Sequence, residues 1–203
     1  TSAIPISILQ KEIRHPERFL GLHWAEPSHT TRFLEVICGE LSDVSKGEWL
    51  YELSHHWGKE PTLVRKDIRG FITNRIMYAM MREAFHLVEN GYATVEDVDR
   101  SLRNDLGYWI TFAGPFRFMD LTGIPAYLTV MKDLFPELSN ATRAPKSMEE
   151  LVASGAKGVS NAQGFYPYTP QSAEHWEEQF IEFSYDIRKL AKKYSQNTSE
   201  NEK

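Results

Sequence analysis

Phe19-Leu20-Gly21-Leu22-His23-Trp24 and Phe33-Leu34-Glu35-Val36-Ile37-Cys38 are two short apolar runs that each carry one proton-transferring side chain. Runs of this length, bounded by polar and turn residues, read as buried β-strands. His23 stands near the end of the first, and Glu35 lies twelve residues later inside the second. Acid–base chemistry near neutral pH needs an imidazole, and a carboxylate beside it fixes the tautomer and stabilises the charged ring. Neighbouring strands could bring the two together. On the residues alone, a core histidine and an unrelated glutamate remain an equal alternative.

Further along, Asp43 to Trp57 has Val44, Trp49, Leu50 and Leu53 at helical spacing. Gly58-Lys59-Glu60-Pro61 punctuates the chain, and Thr62 to Val64 reads as a third short strand. Strand, helix and strand in that order make an α/β pattern. From Phe71 the strand signals stop. Phe71, Ile72, Ile76, Met80, Ala84, Leu87 and Val88 predict a long, mostly buried helix to Glu89, closed by Asn90-Gly91. Thr94 is the expected cap of the next helix, and Glu174 to Lys193 reads as a final amphipathic one. The expected division is 1–66, an α/β part; 67–194, an all-helical part; and 195–203, a polar tail that frays. The protein is therefore expected to be mainly helical.

Composition narrows the function classes. A formal charge of -5 over 203 residues gives no basic surface for nucleic acid. No apolar run reaches the roughly 18 residues of a membrane helix, and no signal peptide is visible. The single Cys38, set among apolar neighbours, reads as core packing and fits a reducing cytoplasm. His55-His56 lack a third ligand in register, so no metal site is expected. His15, His29, His86 and His175 have no nameable partner. Tyr108, Trp109, Phe112, Phe116 and Phe118 read as core or interface rather than a cofactor pocket.

Five segments then occur in order. They are Pro16-Glu17-Arg18-Phe19-Leu20-Gly21-Leu22-His23, Leu34-Glu35-Val36-Ile37, Lys66-Asp67-Ile68-Arg69-Gly70-Phe71-Ile72-Thr73-Asn74-Arg75, Gly114-Pro115-Phe116 and Gly164-Phe165-Tyr166. The series resembles the L-3-hydroxyacyl-CoA dehydrogenase family, from Thr1 to about Tyr168. That resemblance implies the last strands of a Rossmann-like, NAD-binding sheet followed by a helical domain that forms a homodimer. It also implies a preceding dinucleotide-binding segment, because nothing like Gly-x-Gly-x-x-Gly occurs here. The expectation is the C-terminal portion of an NAD-dependent enzyme, inactive as these residues alone.

The resemblance assigns roles residue by residue. His23 matches the catalytic base and Glu35 the carboxylate that orients it. Ser2 matches a serine that meets substrate and cofactor, and Asn74 an asparagine that hydrogen-bonds toward the substrate carbonyl. The implied substrate is a 3-hydroxyacyl-CoA of fatty-acid metabolism, with a free 3-hydroxy acid as the alternative. A non-enzymatic helical dimerisation module is the reading from a different class.

Two departures bear on specificity. Family members commonly show His-Phe-Phe-Asn-Pro, whereas this chain has His23-Trp24-Ala25-Glu26-Pro27. An ionised Glu26 only accepts hydrogen bonds. If it faced the substrate it would disfavour an anionic group and favour a cationic one; otherwise it would turn outward or pair with Arg32. Lysines often precede Gly-Phe-Tyr in the family, but Val159-Ser160-Asn161 stand here, with Lys157 the nearest.

Overall fold

A computed structural model describes residues 2–194. Thr1 and the expected frayed tail, 195–203, lie outside the described residues. The chain divides into two compact units, Thr1–Ala79 and Met80–Lys203.

The first unit is built on a three-stranded sheet in the order β1-β2-β3, with β1 Leu20–His23, β2 Phe33–Cys38 and β3 Glu60–Val64. β1 runs antiparallel to β2, and β2 runs parallel to β3. The parallel pair is joined through α2, Val44–His55, because parallel neighbours need a crossover connection. Central β2 is covered on both faces, with Leu34, Val36, Ile37 and Cys38 fully buried. That double burial is why it reads as an unbroken apolar run. Burial pushes the Cys38 thiol up from its ordinary value.

Two features before β1 are not foreseen from the sequence. Ile6 of the short helix α1, Ile6–Leu9, packs with Ile37, Val64 and Phe71 in the core. Its side chain lies over Gly21, where an added Cβ would sit 2.7 Å from the Ile6 Cδ1. Glycine at this point of β1 is therefore a packing requirement. Gln10 is buried too, and its amide donates to the Pro16 carbonyl at 2.9 Å and accepts from the Leu41 N–H at 3.1 Å. These bonds tie the α1 segment to the end of β2.

The helices start where their caps dictate. The Asp43 carboxylate accepts from the Ser45 N–H at 3.0 Å and caps α2. The long helix α3 spans Thr73–Glu89. In the second unit, α4 is Val95–Asn104, α5 Leu106–Ile110, α6 Pro115–Thr122, α7 Ile124–Leu134, α8 Lys146–Ala153 and α9 Pro170–Lys193. Thr94 caps α4 as its sequence signature implies. Gly114-Pro115 forms the start of α6, with Pro115 in the first turn.

The expectation that α3 is mostly buried is corrected. None of its residues is fully buried, and Ile76 is 61% exposed. Its apolar residues spread beyond the stripe that the described chain covers. Nor do the aromatic residues after α4 form a closed core. Trp109 stacks on Phe118 at 4.2 Å between ring centres, whereas Tyr108 and Phe116 are both 78% exposed. Two histidines also acquire partners that the sequence does not name. His15 lies 3.4 Å from Glu17, and the His86 Nδ1 lies 3.1 Å from the Asn90 amide. No helix among the described residues is long and apolar enough to cross a membrane.

Candidate active site

The strand register decides the chemistry. In the antiparallel pair, His23 stands directly opposite Glu35. Opposed residues on one face of such a pair bring their side chains within reach. The His23 Nδ1 lies 2.7 Å from Oε2 of Glu35. An ionised carboxylate only accepts, so Nδ1 carries the proton and Nε2 is the nitrogen available for proton transfer. Glu35 is 1% exposed and the His23 side chain 16%. The imidazole thus reaches solvent while its partner does not.

A carboxylate this deeply buried needs further donors. Oε1 of Glu35 accepts from the backbone N–H groups of Ile72 and Thr73, at 3.1 and 3.0 Å. These open α3, where the helix dipole also favours a negative charge. The Glu35 carboxylate is therefore held by the imidazole on one oxygen and by a helix start on the other.

The same turn collects the remaining polar residues. Asn74, the second residue of α3, donates its amide to Oγ of Ser2 at 2.9 Å. The Gly70 N–H donates to the Ser2 carbonyl at 3.0 Å. A hydroxyl that accepts from Asn74 keeps its own O–H as a donor. Ser2, Asn74, Glu35 and His23 are thus linked through residues 70–74, all within the first unit.

Two aromatic rings, missed as site residues in the sequence, flank the imidazole. Phe33 and Phe71 meet it edge-on, with ring centres 5.6 and 5.3 Å away. Phe71 falls within the Lys66–Arg75 segment, which is the one signal that pointed to it.

Glu26 is placed differently. It is exposed, and its peptide bond to Pro27 is cis. Among the described residues no hydrogen bond or ion pair links it to His23 or to Arg32. Arg32 instead meets Glu60 at 3.1 Å, so the proposed Glu26–Arg32 pairing is not made. Beside it, Trp24 stacks on Trp57 at 6.2 Å, with the Lys59 ammonium over the Trp24 ring.

Known proteins carry the same arrangement of segments. Residues 1–68 match the family model for the 3-hydroxyacyl-CoA dehydrogenase NAD binding domain, and residues 70–168 match the model for the C-terminal domain. The 5-formyl-3-hydroxy-2-methylpyridine 4-carboxylate 5-dehydrogenase of Mesorhizobium japonicum is 36% identical over 86% of this chain. The chain spans 56% of that relative's length. A solved structure of a 5-formyl-3-hydroxy-2-methylpyridine 4-carboxylic acid 5-dehydrogenase, an NAD+-dependent dismutase, superposes with a TM-score of 0.91 at 33% identity. It covers 95% of this chain and 62% of its own. The (S)-3-hydroxybutyryl-CoA dehydrogenase of Ralstonia eutropha gives 0.63 at 30% identity, over 83% of this chain and 59% of its own.

Proposed function

The chain belongs to the 3-hydroxyacyl-CoA dehydrogenase family, and from that premise we propose that His23 and Glu35 are the acid–base pair of an NAD-dependent dehydrogenase. The observation that carries this reading is the 2.7 Å bond from His23 Nδ1 to a buried carboxylate, which leaves Nε2 as the ring nitrogen not committed to it. In oxidation, the neutral Nε2 takes the proton of the substrate hydroxyl. In reduction, the imidazolium returns it. Two backbone N–H groups and the imidazole all donate to the Glu35 carboxyl, which fixes its orientation toward Nδ1. A non-catalytic helical module gives no reason to bury a carboxylate beside an imidazole.

The polar set fits the reacting end of the cofactor and no more. Ser2 and Asn74 offer a hydroxyl and an amide close to the base, while the sequence has no Gly-x-Gly-x-x-Gly to cradle a pyrophosphate. NAD, when bound, supplies the hydride acceptor. Ser2 and Asn74 orient the oxygen whose proton His23 exchanges.

For the substrate we favour a small free acid bearing a hydroxyl or hydrated formyl group over a CoA thioester. The TM-score of 0.91 to the pyridine-carboxylate enzyme, against 0.63 to the hydroxybutyryl-CoA enzyme, supports this choice. A formyl hydrate presents the same kind of O–H to Nε2 as a secondary alcohol does. The thioester remains the second reading, carried by the hydroxybutyryl-CoA enzyme's likeness. The test is NADH formation by the full protein that contains this chain, with a 3-hydroxyacyl-CoA, a free 3-hydroxy acid and a formylpyridine carboxylate compared at equal concentration. Turnover of the thioester alone would overturn the preference, and turnover of none would overturn the assignment.

A further inference from the structure

We propose that Phe71 is a positioning residue for His23, acting through its ring and through the backbone turn that it occupies. The inference rests on the reading of His23 as the base, and adds a device that holds it.

Phe71 has φ 48°, in the left-handed region that residues with a Cβ rarely adopt. Its neighbour Gly70 has φ 81°. Two successive left-handed residues reverse the chain just before α3. Glycine supplies the first at no steric cost, but the second is a large aromatic residue. Such a conformation persists where the surroundings over-determine it, and these positions cluster at functional sites.

The surroundings here are specific. The Phe71 side chain is 2% exposed and sits in the core with Ile6, Ile37 and Val64. Its ring meets the His23 imidazole edge-on at 5.3 Å, and Phe33 does so at 5.6 Å. The Phe71 N–H is fixed by the Ile68 carbonyl at 2.9 Å. The next two N–H groups, of Ile72 and Thr73, are those that bind Oε1 of Glu35.

One residue therefore touches the base directly and directs the donors that hold the base's partner. With the turn in place, Glu35 is aimed at Nδ1 and the imidazole cannot swing between its two aromatic neighbours. Losing the ring or the turn should let the ring sample the tautomer with the proton on Nε2, which cannot accept a substrate proton at that atom.

The test reads the imidazole without needing turnover. The full chain, labelled with ¹⁵N at histidine, is compared as wild type, Phe71→Leu, Phe71→Tyr and Gly70→Ala. Phe71→Leu keeps an apolar side chain but removes the ring. Gly70→Ala keeps the ring and strains the turn. We expect His23 to hold its proton on Nδ1 in the wild type and in Phe71→Tyr. Phe71→Leu and Gly70→Ala should show a mixture of tautomers. In the full enzyme Phe71→Leu should lower kcat about tenfold, with KM changed less, as misplacement of a reacting group does. A folded Phe71→Leu with the wild-type tautomer overturns the proposal. Should that variant fail to fold, a folded Gly70→Ala with the wild-type tautomer does the same. Because the ring spectrum is independent of catalysis, full turnover in His23→Ala would remove the base assignment while leaving this result to stand or fall alone.

Discussion

Glu35 and His23 face each other across one antiparallel strand pair, and the carboxylate that bonds the imidazole on one oxygen bonds the start of a helix on the other. Both oxygens of a fully buried group are thus committed to N–H donors. Structure and chemistry depend on the same carboxylate.

Replacing it tests that dual role. In Glu35→Gln one end of the side chain becomes an NH2 group, which must face either the His23 Nδ1–H or the paired N–H groups of Ile72 and Thr73. Facing the helix start, the NH2 opposes two donors; facing Nδ1, it forces the imidazole into the tautomer with its proton on Nε2, and either way the buried site loses a charge-assisted bond, at a cost of about 1–3 kcal/mol. Urea unfolding should report that loss, and His23→Ala should also destabilise, because it leaves Oε2 of a buried carboxylate without its donor. Equal stability of Glu35→Gln and wild type would mean that the charge-assisted bonds to the carboxylate carry no weight.

Gly21 should be intolerant of a side chain. A Cβ there would lie 2.9 Å from the Ile6 Cγ1 and 3.2 Å from the Ile37 Cβ. Gly21→Ala is expected to destabilise the chain by about 1–3 kcal/mol through overpacking. Ile6→Ala in the same chain should recover part of it, since the two sites touch. Strict additivity in a thermal-unfolding cycle would contradict the contact.

Much of this was readable beforehand, and the reason is double burial. β2 occupies Phe33–Cys38, as its apolar run indicates, because a strand covered on both faces excludes polar residues unless, like Glu35, they are fully hydrogen-bonded. Thr94 was readable as a cap because its side chain satisfies a fixed backbone need. Pro61 misled: it read as punctuation, yet it lies inside β3, Glu60–Val64. β3 is the end strand of the three, where a residue without an N–H is tolerated. The left-handed Phe71 was beyond reach, since only its long-range contacts explain a conformation that its own side chain disfavours. The exposure of α3 was equally hidden, because periodicity reports an apolar face but not what covers it.

Acid should weaken the helix junctions in a defined direction. Hydrogen bonds from Ser45 hold the Asp43 carboxyl below its ordinary value, those from Ser147 do so for Glu89, and those from Thr94 and Arg100 for Asp97. A depressed carboxyl contributes stability that is present above its unfolded value and lost as pH falls through its folded value. All three are exposed, so each contribution is small. Urea midpoints should therefore fall below the ordinary carboxylate range, and less steeply in Asp43→Asn. An identical slope in that variant would contradict the Asp43 cap. Tyr166 moves the opposite way: its hydrogen bond to Asp99 pushes it up to about 12, so it should stay protonated through any neutral assay.

The second unit should associate. Ile124 and Leu128 on α7 and Leu121 and Phe116 on α6 are all exposed apolar residues. An uncovered set of this extent is more than a stable monomer ordinarily presents. We expect a homodimer through these helices in sedimentation velocity of the full protein. A single monomeric boundary at tens of micromolar, by order of magnitude a generous concentration for an obligate interface, would count against it.

The most direct measurement is the turnover of His23→Ala in the full protein, on whichever substrate the wild type uses best. Removal of a general base costs roughly 10²–10⁴-fold. The account predicts a loss in that range, in kcat more than in KM, with NAD affinity unchanged. A variant that keeps wild-type kcat would contradict it, because no other residue of the linked set offers a nitrogen that exchanges protons at neutral pH.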